Sequence, residues 1–101
     1  MKAQKILEQK IVLAHRDGAQ WAVFEIVVWD VGVSTHFPDG IKYRAWLSQG
    51  GETIFGFDNH KPKGPHLHIG NRELPYEYAG LDRLRTDIIR LIELEGFIYE
   101  D

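Results

Sequence analysis

The chain has 101 residues, of which 44% are hydrophobic and 27% charged, with a formal net charge of -3 and no cysteine. This length gives a single domain, residues 1–101, with room for one core, and the lack of cysteine excludes disulfides and thiolate metal sites. The acidic balance argues against a general nucleic-acid binder, and no apolar run is long enough to span a bilayer, so a cytoplasmic protein without membrane contact is expected.

In chain order, Met1 to Gln9 is mostly polar and reads as a frayed start or a short helical turn, and Lys10 to His15 reads as a strand. Arg16 to Gln20 holds an Asp-Gly pair, which accepts the positive φ of a hairpin turn. Trp21 to Asp30 carries the strongest strand signal, rich in valine, isoleucine and aromatics. Its faces differ: Ala22, Phe24, Ile26 and Val28 are wholly apolar and suit the core. Trp21, Val23, Val27 and Trp29 surround Glu25 on the other face, which suits a pocket floor or a partner surface, or else cover by the N-terminal segment or a dimer mate with Glu25 paired to Lys42 or Arg44. His36 falls in the connection that follows and reads as an exposed loop residue.

Ile41 to Ser48 alternates again, Gln49 to Glu52 turns the chain, and Thr53 to Phe57 forms the next strand and delivers Asp58. Leu67 and Ile69 then alternate with His66 and His68, which predicts a short strand with both imidazoles on one face. Asn71 to Tyr78 reads as irregular or extended. Leu81 to Glu95 is predicted as a helix, with Leu81, Leu84, Ile88, Leu91 and Ile92 as its apolar stripe and Gly96 at the left-handed position beyond it. The expected fold is α+β: an antiparallel meander of about five strands packed on one C-terminal helix.

The chemistry concentrates between Phe57 and Gly70, where three of the five histidines fall, and no acidic residue lies between Asn59 and Arg72. The Pro62-Lys63-Gly64-Pro65 run predicts a stiff loop. Three readings stand side by side. In the first, His66 and His68 serve as acid and base in RNA cleavage, with Asp58 orienting one ring and Lys61, Lys63 and Arg72 holding phosphate. Tyr43, Trp46 or Tyr76 would stack an unpaired base. In the second, the chain is a non-enzymatic module that docks a protein through Trp21, Val23, Val27 and Trp29. In the third, Asp58, His60, His66 and His68 hold a divalent metal such as zinc and the chain is a hydrolase. The first reading needs no metal or other cofactor.

The runs Phe57-Asp58-Asn59-His60, Lys63-Gly64-Pro65-His66-Leu67-His68-Ile69 and Glu73-Leu74-Pro75-Tyr76-Glu77-Tyr78, with the helix after them, resemble the TumE-type toxins of prokaryotic toxin–antitoxin pairs. The resemblance covers roughly residues 41–92. It implies a toxin that blocks translation through RNA and is partnered by a small helix-turn-helix antitoxin. Its motif falls on Asp58, Asn59, Lys63, His66, His68 and Tyr76, while His60 departs from it. Asn59 and Tyr76 join the expected substrate contacts on that ground. A homodimer is a further expected arrangement.

Overall fold

Strand alternation and a single helical stripe build the molecule. The computed structural model describes residues 3–60 and 63–100. It contains β1 (Gln4–Ala14), β2 (Trp21–Asp30), β3 (Ile41–Gln49), β4 (Glu52–Asp58), β5 (His66–Ile69), β6 (Arg72–Pro75) and α1 (Leu81–Leu94). The strands lie side by side in chain order, each antiparallel to the next, in one sheet of six. The α+β meander closed by a C-terminal helix is therefore as expected.

Two elements differ from the expectation. The strand count is six rather than five, because Arg72–Pro75 pairs with β5 across a tight turn at Gly70, whose φ is 60°. Residues expected as a frayed start or helical turn instead belong to β1, which begins at Gln4. Gln4 to Lys10 is exposed throughout, so these positions carry no alternation of apolar residues to announce the strand. A bulge between Lys5 and Leu7 shifts the register there.

One face of the sheet is the core. Register sets Phe24 against Leu47, Val28 against Tyr43, and Ala45 and Leu47 against Phe57 and Phe55. Leu84, Ile88 and Ile92 of α1 pack over these residues and are 0–3% exposed. Removing such side chains costs about 2 to 5 kcal/mol each. The helix ends at Gly96, where φ is 91° and a Cβ would stand 2.2 Å from the His15 ring, so only glycine fits. Beyond it, Phe97 and Ile98 return to the end of β1 through Ile98 N–H to Ala14 O at 2.9 Å.

The Asp-Gly hairpin forms as expected, with Gly18 at φ 75° and the Asp17 carboxylate accepting from Ala19 N–H at 2.8 Å and Gln20 N–H at 3.0 Å. Those bonds hold the Asp17 carboxyl well down, at about 2, the Ala19 bond contributing most. His36 is exposed. No helix among the described residues is long and apolar enough to cross a membrane.

Candidate functional site

The site is assembled by register. Asp58, the last residue of β4, lies opposite Arg44 of β3 on one side and His66 of β5 on the other. One row along, Gly56 lies between Trp46 and His68. In β2, Val27 continues the first row and Glu25 the second. All of these face away from α1, because their neighbours Phe55, Phe57 and Leu67 face it. The greasy second face of β2 and the histidine strand, separate features in the sequence, are therefore parts of one open sheet surface.

At its centre, His66 is 7% exposed and tightly held. Its Nδ1 lies 2.8 Å from the Gly64 carbonyl oxygen and its Nε2 lies 3.0 Å from Asp58 Oδ1. Both neighbours are acceptors. With the carboxylate ionised, both bonds form only when the ring carries a proton on each nitrogen. His68 is looser: its side chain is 38% exposed, and its Nε2 lies 3.8 Å from Asp58 Oδ2. The two imidazoles meet edge to face with centroids 4.7 Å apart.

Cations resting on indoles flank this cluster. The Arg44 guanidinium lies 4.4 Å from the Trp46 ring centroid, and Lys42 Nζ lies 5.5 Å from that of Trp29. Glu25 pairs with neither Lys42 nor Arg44; its partner is Lys10 across the β1–β2 ladder, at 3.8 Å. A depression of about 550 Å³ opens beside the cluster, lined by Trp29, Lys42, Arg44, Asp58, His60, Lys63 and His66 among others. A smaller one of about 270 Å³ lies over Gly56 between Trp46 and His68.

The other expected site residues fall in several places. Lys63 reaches the depression, but its ammonium also holds both oxygens of Glu73 at 2.9 and 3.0 Å. The hydrogen bond from Lys63 keeps the Glu73 carboxyl below its usual range. Asn59 lies beneath the site, 6% exposed. Its Oδ1 accepts from Tyr43 N–H at 2.9 Å and its Nδ2 donates to Ile41 O at 2.8 Å, so its amide continues the sheet where β4 ends. Tyr76 stands on the helix side. Its ring meets Phe57 edge to face at 4.9 Å and its hydroxyl donates to Asp87 Oδ2 at 2.5 Å.

Burial, and then the bond to Asp87, push the Tyr76 hydroxyl up; for Asp87, burial works against the charge, but the bonds from Tyr76 and Arg83 outweigh it and lower its carboxyl. Arg72 alternates with Glu73 along β6 and shares the side of Leu74, away from the imidazoles. Lys61 lies outside the described residues. His60 donates its backbone N–H to Asp58 Oδ1 at 3.1 Å while its side chain stays exposed.

Among the described residues, one group can offer three ligand atoms to a metal: Asp58, His66 and His68, with those atoms within 4.8 Å of one another. His60 is not part of it. Sequence reasoning missed Arg44 and Lys42 as site residues, although alternation in Ile41–Gln49 already set them beside Trp46 on the polar face.

A family model described as Toxin TumE matches residues 2–95. The match reaches well beyond the motif-bearing stretch and takes in β1 and β2, where the sequence offered only general strand character. No curated protein and no solved structure matches the chain.

Proposed function

The chain belongs to the TumE toxin family, and on that premise we propose that it acts on RNA, cleaving phosphodiester bonds by histidine acid–base chemistry. The observation that carries this reading is the Asp58–His66–His68 cluster on an open face, flanked by Arg44 on Trp46 and Lys42 on Trp29. RNA offers phosphates for the cations and unpaired bases for the indoles, and each part of the face meets one of these needs.

In this mechanism the more exposed imidazole, His68, takes the proton of a ribose 2′-hydroxyl as its oxygen attacks phosphorus. His66, held at Nδ1 by Gly64 O, must release its Nε2–H from Asp58 to supply that proton to the departing 5′-oxygen. The products are a 2′,3′-cyclic phosphate and a 5′-hydroxyl. Asp58 orients His66, while Arg44 and Lys63 hold the phosphate as charge builds on its oxygens. Lys63 must leave Glu73 to do so. Asn59 and Tyr76 support the site from below and from the helix side. A helix-turn-helix antitoxin completes the proposal.

The Asp58, His66 and His68 ligand set favours a second reading, in which these three residues would hold a divalent metal such as zinc and the metal would supply hydrolytic chemistry by activating water. Purified protein incubated with unstructured RNA in EDTA separates the two. The first reading expects cyclic-phosphate ends and a rate about 10²- to 10⁴-fold lower in His68→Ala, with the fold intact by circular dichroism. Cleavage that vanishes in EDTA and returns with zinc would replace it by the second. Wild-type protein that arrests growth when expressed yet leaves RNA whole would remove both.

A further inference from the structure

The outer edge of β1 is a built pairing surface. Ala14 O accepts from Ile98 N–H at 2.9 Å and Arg16 N–H donates to Gly96 O at 2.8 Å on the outer side, while His15 N–H donates to Gln20 O at 2.9 Å on the β2 side. Backbone groups alternate in direction along a strand, so Glu8, Lys10 and Val12 aim their N–H and C=O groups outward with Ala14. The tail covers only the end of this edge: past Ile98 it turns under α1, where Arg85 lies 5.7 Å from the Tyr99 ring. From Gln4 to Leu13 the edge has no strand partner among the described residues, contains no proline, and carries the exposed apolar residues Ile6, Leu7 and Val12. Natural sheets rarely leave so long an edge open.

We propose that a second copy of this chain occupies it, β1 against β1 antiparallel with the two-fold axis at Gln9. Charge complementarity selects that register. Outward-aimed residues must meet outward-aimed residues, which leaves only registers centred on a residue. Centring on Gln9 sets Glu8 against Lys10 of the other copy, and Lys10 against its Glu8. Moving the centre by one residue either way puts Glu8 against Glu8 or Lys10 against Lys10. The Gln9 register also brings Ile6 level with Val12, and Leu7 with Ile11. Leu7 and Ile11 already line an apolar groove of about 520 Å³ beneath α1 with Ile26, Ile88 and Tyr99, and the second copy extends its wall. The result is one continuous sheet through both subunits, with an open site face on each. This assembly is independent of what the histidines do.

Sedimentation equilibrium of the full chain over a range of concentrations tests the register by charge exchange. The wild type is expected to be a dimer. Glu8→Lys and Lys10→Glu each turn the two cross-copy attractions repulsive, Lys10→Glu also losing the pair with Glu25 in its own chain, and each is expected to raise the dissociation constant about tenfold or more, while the double exchange lowers it again. Circular dichroism melting confirms that each variant is folded. A monomeric wild type at about 100 μM overturns the proposal, as do single variants that dimerise like the wild type or a double exchange that fails to rescue. A monomer whose β1 amides become protected from exchange only when an antitoxin is added assigns the edge to that partner and also overturns it.

Discussion

Replacing Asn59 with alanine separates the frame of the site from its chemistry. Asn59 is 6% exposed and bonds two backbone groups of β3: it accepts from Tyr43 N–H at 2.9 Å and donates to Ile41 O at 2.8 Å. Alanine leaves both without that partner. Tyr43 is 1% exposed, so its N–H bears the full cost of an unmade bond, while Ile41 is half-buried and water can partly replace the amide. The expected loss is about 2 to 4 kcal/mol. With a urea slope of about 1 to 1.5 kcal/mol per molar for a chain of this size, the unfolding midpoint falls by roughly 2 M. Asn59→Asp sharpens the test, because a carboxylate can accept from Tyr43 N–H but faces Ile41 O with a second acceptor, so it should lose at least as much as alanine. Urea titrations followed by tryptophan fluorescence measure both. A midpoint within about 0.3 M of wild type for either variant would refute the assignment of Asn59 to the sheet.

Two further outcomes follow from buried and bonded groups elsewhere. The Asp17 carboxyl is lowered in the folded hairpin from 3.8 to about 2, so the order it lends the turn is complete above pH 3.8 and is lost as pH falls through about 2. Amide exchange at Ala19 and Gln20, whose N–H groups it accepts, should rise in that window beyond the intrinsic rate in the wild type, and should show no such step in Asp17→Ala. The Tyr43 hydroxyl is buried with no hydrogen-bond partner among the described residues, and burial pushes it up. Tyr43→Phe is therefore expected to leave stability unchanged or raise it by about 1 kcal/mol by thermal or urea unfolding; a loss of that size would refute the reading.

Much of this architecture was legible wherever two neighbouring environments differ. Phe24 and Val28 face α1 while Glu25 and Trp29 do not, and Leu84, Ile88 and Ile92 face one core, so periodicity in β2 and α1 announced itself. His66 and His68 share a face because Leu67 between them is taken by the core side. The first half of β1 was illegible for the opposite reason: exposed on both sides, its sequence records no contrast. β6 has four residues, too few for alternation to stand out, and Pro75 at its end reads as a breaker. Asn59 entered as a substrate contact through the family motif, and its burial was not visible in the sequence. Tyr76 needed the register of β5 with β6 before its side of the sheet could be assigned. That the tryptophan face and the histidines form one surface was deducible, since parity carries Glu25 to Trp46 and on to His68, but only once the pairing was known.

The strands of the sheet follow one another in space as they do in the chain, with no crossover. A ribosome therefore delivers each strand directly to the one it pairs with, and the ladder can grow as fast as synthesis allows. The cover for its apolar face arrives last: Phe55 and Phe57 stay uncapped until Leu84, Ile88 and Ile92 have been made. The hairpin that carries both imidazoles has only four residues in each strand, and Tyr76 beyond it is anchored by Asp87 of α1. A nascent chain cut short before α1 has every histidine but lacks the helix side chains that cover Phe55 and Phe57. The sheet that holds Asp58, His66 and His68 thus gains the cover of its opposite face only once α1 has been made.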